Sequence, residues 1–313
     1  MNFSDMVPLL QTALELGLFS ALTVLALYLS YSMLNVCDLS TDGCFTMGAT
    51  VGAVVAISGH PFLSIPAAIL AGMLSGLIVA FLQTKMGVES LLAGIIVNTA
   101  WYSVNIAIMG NSSLLNMNKT DTVFSILKEK LEGTFLAGSY KLIIAALAVL
   151  IVLVFLSFFL KTRLGLAIRA TGNNPDMVKS SSINPAFTTI VGLCIANAFT
   201  ALSGCLLAQS QKSVNIDIGS GMVTIALASL LIGGVIIPRG GITRKAIGAV
   251  IGAFIFRLVY TVALRFNMPA YMLKLVSSII VIIAISTPYL KRQLPLLKRR
   301  MALRKVGTNG EER

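Results

Sequence analysis

The sequence RLGLAIRATGNNPDMVKSSSINP, residues 163–185, is the one long polar interval in the second half of a very apolar chain. Within it, Asn174 can cap a helix that begins at Pro175, because a proline at the first helical position loses no hydrogen bond. Asp176 then lies in the first turn, where the helix dipole favours a negative charge. We therefore predict a short helix within a cytoplasmic loop.

Met177 and Val178 would give this short helix an apolar surface in otherwise polar surroundings. We interpret that surface as the place where a partner protein docks on the loop. The alternative is an ordinary interhelical loop with solvated charges, which is what most charge-rich stretches are.

The composition is that of an integral membrane protein. The 313 residues are 56% hydrophobic and 12% charged, with a mean hydropathy of +0.89. Soluble domains carry about 25% charged residues. Long apolar runs alternate with short polar breaks, which predicts an all-α fold: a polytopic bundle of membrane helices.

Nine apolar segments are visible, and together they form one predicted transmembrane domain over residues 1–290. A full crossing takes about 20 residues, so the short, glycine-flanked segment 223–237 is a candidate half-crossing. The nine segments are 12–34, 41–58, 62–82, 89–109, 139–160, 186–209, 223–237, 246–264 and 272–290.

The basic residues are distributed unevenly, and this predicts the orientation. No Lys or Arg precedes Lys85, whereas seven lie between Lys291 and Lys305. With nine crossings, the N-terminus outside and a basic cytoplasmic tail at 291–313, the inner loops hold 16 basic residues and the outer loops seven. Such a bias marks the cytoplasmic side of a membrane protein, so the net charge of +12 does not indicate a nucleic-acid partner.

Polar residues break the apolar pattern between the first two segments. Asp38 and Asp42 lie four residues apart around Ser40, with no Lys or Arg nearby in sequence. Ionisable groups near membrane depth usually line a path or a water-filled cavity. We predict that these residues lie at a break between half-helices on the path of a solute. A plain cytoplasmic turn is the alternative.

The fourth segment carries Asn98, Trp101 and Asn105 on one helical face. Two amides and the only Trp of the chain suit a polar or aromatic-lined passage. The alternative is a set of interhelical hydrogen bonds with an interfacial aromatic side chain.

Several kinds of chemistry are missing from the sequence. It has no G-x-x-x-x-G-K-[ST] phosphate loop, no metal-ligand spacing among its four cysteines, and no nucleophile–base set. We therefore predict that the chain is not an enzyme, holds no metal and binds no cofactor itself. The energy for any active transport then comes from a partner or from an ion gradient.

Three landmarks occur in a defined order: DLS at 38–40, GNN at 172–174 with SSI at 181–183, and the small-residue run 226–234. In this order and topology they resemble the transmembrane permeases of bacterial ABC importers in the branched-chain amino acid/ribose class. The resemblance covers nearly the whole chain. Asp42 is additional to the family pattern.

The resemblance implies a multi-pass protein of the bacterial plasma membrane that moves a small polar solute by alternating access. It also implies a second permease copy, cytoplasmic ATPase subunits that use ATP, and an extracytoplasmic solute-binding protein. The ATPase would contact the polar loop, in which Asp176 and Met177 stand where the family usually has paired alanines, and Ser182 where it has glycine. The residues assigned to ATPase coupling are Asn173, Asn174, Pro175, Asp176, Met177, Val178 and Lys179.

The solute suggested by the resemblance is an amino acid, with tryptophan or tyrosine as the nearest type. Sugar and nucleoside importers share the same landmarks, so they remain an alternative. A further alternative from another class is an ion-coupled secondary transporter with Asp38 and Asp42 as ion ligands.

Overall fold

Helices make up most of the part of the chain that the structure, a computed structural model, describes. The described residues are 3–131, 139–238, 240–265, 275, 278–283 and 286. The elements of the first half are α1 (Phe3–Leu27), which continues into a π-helical turn (Tyr28–Met33), α2 (Thr41–Ile57), α3 (Ser64–Thr84), α4 (Ser90–Ile108), β1 (Leu114–Asn116) and α5 (Val123–Leu131). Those of the second half are α6 (Tyr140–Phe159), α7 (Arg163–Asn173), α8 (Pro175–Ser180), α9 (Pro185–Gln211), β2 (Ser213–Asn215), α10 (Met222–Ile236) and α11 (Ile242–Arg265).

Each of the first eight predicted apolar segments coincides with a helix. The largest difference is at α1, which begins well before residue 12. Six of these helices are long and apolar enough to cross a membrane, while α2 and α10 are apolar but shorter. The ninth segment, 272–290, lies mostly outside the described residues, as does the tail 291–313, and the described positions of that segment are helical. The number of crossings and the orientation of the termini stay predictions.

The fold also contains a small sheet that an all-α assignment does not include. β1 pairs antiparallel with β2, with Leu115 opposite Val214. The helix α5 follows β1 in the chain. A hydrogen bond joins its start to α9, since the backbone N–H of Val123 donates to Gln209 Oε1 at 3.0 Å. The sheet was not predicted from the sequence.

The central element of the bundle is α9, which packs against α1, α2 and α3. Small residues let these helices approach closely, as is usual in membranes. At Gly204, a Cβ would overlap the backbone oxygen of Phe45 in α2, and at Gly72 of α3 it would overlap the backbone oxygen of Asn197. The interior is therefore built on backbone-to-backbone contact around α9.

The chain folds back into the bundle after α1. Asn35 has a φ of 56°, a left-handed conformation that asparagine adopts more readily than most residues. By Asp38 the chain has reached Asn197, which lies twelve residues into α9, or about 18 Å along it at about 1.5 Å per residue. The helix α2 therefore begins inside the bundle, beside the middle of α9.

Candidate functional site

A polar cleft lies at the level where α2 begins, between α2, α4 and the segment that leads from β2 to α10. Its volume is 360 Å³. Two carboxylates, of Asp42 and Asp217, line it, and no Lys or Arg does so among the described residues. The other lining residues are Gly43, Thr46, Asn98, Thr99, Tyr102, Ser103, Asn105, Ile216 and Ser220.

Asp42 connects this cleft to the start of α10. Its two carboxylate oxygens accept hydrogen bonds from the backbone N–H groups of Gly221, at 2.9 Å, and Val223, at 2.8 Å. The first N–H groups of a helix have no partner within the helix, and its dipole favours a negative charge at this end. Asp42 therefore caps α10 from another helix, and α10 begins inside the bundle at the level of the cleft.

Asp38 is buried, with 2% of its surface exposed, and it is held by hydrogen bonds on both carboxylate oxygens. Asn197 Nδ2 donates to Oδ2 at 2.8 Å, and the backbone N–H of Ser40 donates to Oδ1 at 2.8 Å. The hydroxyl of Thr41 also donates to the backbone oxygen of Asp38. These bonds fix the break before α2 against the centre of α9. Neither Asp38 nor Ser40 is among the residues that line the cleft.

The three residues of α4 that were predicted to line the path have different surroundings. Asn98 is half-buried in the cleft wall. Asn105 is buried and donates to the backbone oxygen of Gly43 at 3.3 Å, while the Trp101 indole N–H donates to Ser75 Oγ at 2.8 Å on α3. Of this group, Asn98 and Asn105 therefore line the cleft, and Trp101 joins two helices.

The short helix in the polar loop is present as α8. Asn174 Oδ1 accepts from the backbone N–H groups of Asp176 and Met177, both at 3.1 Å, which is the predicted cap. Lys179 forms an exposed ion pair with Asp176 at 3.3 Å. Met177 is 57% exposed.

Val178 was predicted to share the outward apolar surface with Met177, and this is wrong. Only 1% of Val178 is exposed, so its side chain packs inward and anchors α8. A six-residue helix has one inward face, and a sequence of this length does not reveal which apolar residue occupies it.

The loop contains a second helix, α7, that was not predicted. Thr162 caps it by accepting from the backbone N–H of Gly165 at 3.3 Å. At Gly172 a Cβ would overlap the backbone oxygen of Met33, so α7 lies directly against the end of α1. The hydroxyls of Thr171 and Thr188 are 2.8 Å apart and join α7 to α9. The loop is therefore a packed part of the bundle with α8 as its exposed tip.

Comparison with known proteins agrees with this architecture. Residues 10–285 match the family model described as the permease component of branched-chain amino acid transport systems. The chain belongs to this permease family. A tyrosine transport system permease of Clostridioides difficile is 32% identical to the permease over 273 residues, which are 87% of this chain and 88% of the relative.

Other relatives of the permease have different named solutes. A galactose/methyl galactoside import permease of Haemophilus influenzae is 28% identical over 70% of this chain and 63% of its own length. A probable branched-chain amino acid transport permease of Methanocaldococcus jannaschii is 24% identical over 75% of this chain and 73% of its own length. No solved structure gave a significant match. The permease is therefore an ABC-type transport subunit of the bacterial plasma membrane, with relatives for both amino acids and sugars.

Some site residues of the permease were not among the predicted path residues. Tyr102, Asp217 and Ser220 line the cleft, and Asn197 holds Asp38. A signal for the segment from β2 to α10 exists in the sequence, since Gly219 and Gly221 immediately precede the short helix and allow close backbone approach. Among the described residues no group of three or more His, Cys, Asp or Glu side chains could hold a metal ion.

Proposed function

We propose that this permease is the membrane subunit of an ATP-driven importer for an amino acid. The observation that carries the proposal is the 32% identity over 87% of the chain with a tyrosine transport system permease. In this proposal the permease binds no nucleotide itself, and ATP is used by cytoplasmic ATPase subunits. A second permease copy and an extracytoplasmic solute-binding protein complete the transporter.

The charge of the cleft supports an amino acid over a sugar. Asp42 and Asp217 give it a negative character with no basic lining residue among those described, which suits the ammonium group of an amino acid. Asn98 and Tyr102 would add hydrogen-bonding groups for the carboxylate. We therefore place the solute path along the cleft between α2 and α4, with Asp38 and Ser40 supporting it from behind.

A galactose-type solute is the second candidate, because the galactose/methyl galactoside relative matches 70% of the chain. Ion coupling through Asp38 and Asp42 is less well supported. Asp42 lines the cleft but Asp38 does not, so the two carboxylates do not share this cleft as a pair of cation ligands.

The first experiment is a pull-down of the tagged permease from its native membrane in detergent, followed by mass spectrometry. We expect a co-purifying ABC ATPase and a solute-binding protein. The binding protein is then titrated with tyrosine, tryptophan, leucine and galactose. Saturable binding of an amino acid supports the proposal, and binding of galactose alone would replace it with the second candidate. Uptake that survives ATP depletion and disappears with the ion gradient would reject both.

The coupling role of α8 has its own test, with Met177→Glu as the variant. Because Met177 is exposed, the change should leave the free energy of unfolding within about 0.5 kcal/mol of the original. ATP hydrolysis should continue while uptake stops, since a charge would occupy the proposed contact with the ATPase. The matched control is Arg163→Gln in the same loop, which removes an exposed charge outside the residues assigned to coupling and should keep uptake. Normal coupled uptake by the Met177→Glu permease would remove α8 from this role.

A further inference from the structure

A second cleft, distant in sequence from the solute path, lies at the end of the bundle that carries α7. Its volume is 530 Å³. Four basic side chains line it: Lys161 after α6, Arg169 of α7, and Arg244 and Lys245 of α11. No Asp or Glu lines it, and none of the four forms an ion pair within the described part of the chain.

The wall of this cleft is held in place by contacts between distant parts of the chain. The buried Tyr28 hydroxyl donates to the backbone oxygen of Ile242 at 3.0 Å, which joins α1 to the start of α11. The side chain of Arg244 lies over Gly240, where a Cβ would come within 3.0 Å of it. These contacts fix the backbone at the start of α11 and the position of Arg244 on one side of the cleft.

The position of these cations relative to the membrane spans indicates the depth of the site. Lys161 follows the span Tyr140–Phe159 by two residues, and Arg244 and Lys245 lie in the first turn of the span Ile242–Ala263. Basic side chains at the ends of spans lie at the level of the lipid headgroups. Four like charges at this level, without a protein counter-charge among the described residues, favour an anion as the occupant.

The surface next to the cleft is apolar in the direction of the membrane interior. On α11, Ile247 and Ile251 are 39% and 37% exposed, and they lie three and seven residues after Arg244. Such spacings place the three side chains along one face of the helix. The basic residues of the cleft therefore adjoin an apolar strip on α11. This order of a charged and an apolar surface is the order of the phosphate headgroup and the acyl chain in a phospholipid.

We propose that this basic cleft binds the phosphate group of an anionic phospholipid. The headgroup phosphate would accept hydrogen bonds from Arg169 and Arg244, with Lys161 and Lys245 completing the charge, and the acyl chain would lie along Ile247 and Ile251. Because Arg169 belongs to α7, a bound lipid would hold the loop against α11. None of its lining residues lines the solute cleft or belongs to the residues assigned to ATPase coupling.

The test uses the full-length permease, purified in detergent and stripped of lipid. Thermal unfolding and native mass spectrometry are followed during titration with dioleoyl phosphatidylglycerol, dioleoyl phosphatidylcholine or inorganic phosphate. We expect phosphatidylglycerol to raise the unfolding midpoint and phosphatidylcholine to have little effect, since its choline cancels the phosphate charge. Inorganic phosphate that competes with phosphatidylglycerol supports the same anion site and identifies a free anion as a second occupant.

The deciding variant is the pair Arg169→Gln and Arg244→Gln. It should need roughly thirtyfold more phosphatidylglycerol for the same stabilisation, from the loss of two cations near a lipid phosphate. The matched control is the pair Lys85→Gln and Arg163→Gln, which removes the same charge from exposed positions outside the cleft and should bind as the original does. If the deciding pair fails to fold, Lys161→Gln with Lys245→Gln takes its place with the same expectation.

Three results would overturn the proposal. One is equal weakening of lipid binding in the deciding and control pairs, which would indicate general surface charge. Another is equal stabilisation by phosphatidylcholine and phosphatidylglycerol. The third combines two findings: neither lipid nor phosphate affects the permease, and the deciding pair no longer co-purifies with an ATPase. That result would mean that the cleft binds an acidic surface of a partner protein.

Discussion

The helices α6 and α9 are both long and apolar enough to span a membrane, yet α6 lies at the outside of the bundle and α9 at its centre. α6 has the highest hydropathy of the six candidate spans, and only 22% of its most apolar window is buried. α9 has a lower hydropathy and contains polar and small residues, and 83% of its window is buried. In a membrane the solvent is as apolar as leucine, so large apolar side chains face outward and close packing with internal hydrogen bonds holds the interior together.

The largest expected effect comes from closing the approach of α9 to α2. Gly204→Val would force a side chain into the backbone at Phe45, which cannot move aside as a flexible side chain would. We expect a loss of about 3 kcal/mol or more in unfolding free energy and little monodisperse protein on size-exclusion chromatography. The control is Gly234→Val in α10, where nothing lies within 4 Å of the added Cβ. Similar yields for the two variants would contradict the packing that we describe.

The next effect concerns the polar interior of α9. Asn197→Leu removes the donor to Asp38 Oδ2 and leaves a buried carboxylate partly unsatisfied. The cost should be about 2 to 3 kcal/mol, measured as a shift in reversible unfolding in detergent.

A double variant tests whether the two residues act as a pair. Asp38→Leu with Asn197→Leu removes both partners, so its loss should be smaller than the sum of the two single losses. Strict additivity would mean that the hydrogen bond contributes no coupling energy.

The two faces of α6 provide a test within a single helix. Leu156 is fully buried and Leu150 is 55% exposed. Leu156→Ala should lower the free energy of unfolding by about 2 kcal/mol through the cavity it leaves, and Leu150→Ala should change it by less than about 0.5 kcal/mol. Equal losses measured by thermal unfolding would show that the outward face of α6 is covered by protein in the assembled transporter.

The smallest expected effect is at the start of α10. Asp42→Asn keeps one carbonyl acceptor for the N–H groups of Gly221 and Val223 but removes the negative charge at the helix start. We expect Asp42→Asn to lower the free energy of unfolding by about 1 kcal/mol. Amide hydrogen exchange in the first turn of α10 should be slower in Asp42→Glu, which keeps the charge, than in Asp42→Asn. An unchanged exchange pattern in both variants would show that the cap is not needed.

The helices were largely predictable because their signals are local. Runs of apolar residues bounded by glycines, prolines and charges mark α2, α3, α4 and α6 to within a few residues. The cap at Asn174 and the start at Pro175 were likewise readable, since a helix start depends on neighbouring residues only.

The site was harder to predict because its contacts join distant parts of the chain. Asp38 and Asn197 are 159 residues apart, and Asp42 and Gly221 are 179 apart. Helical periodicity places Trp101 on the same face of α4 as Asn98 and Asn105. It does not show which neighbouring helix each side chain contacts. Hydropathy also does not identify the central helix, because the most buried of the six candidate spans is not the most apolar one.

The contact between Gly172 and the end of α1 has a mechanical consequence. With backbone against backbone at Met33, no side chain stands between the two segments to absorb a displacement. A displacement of α8 would therefore be passed to the π-helical turn with little loss. Any larger residue at position 172 would separate the two segments and reduce the displacement that is passed on. In the coupling role that we propose for α8, transmission of the movement to α1 depends on the absence of a Cβ at position 172.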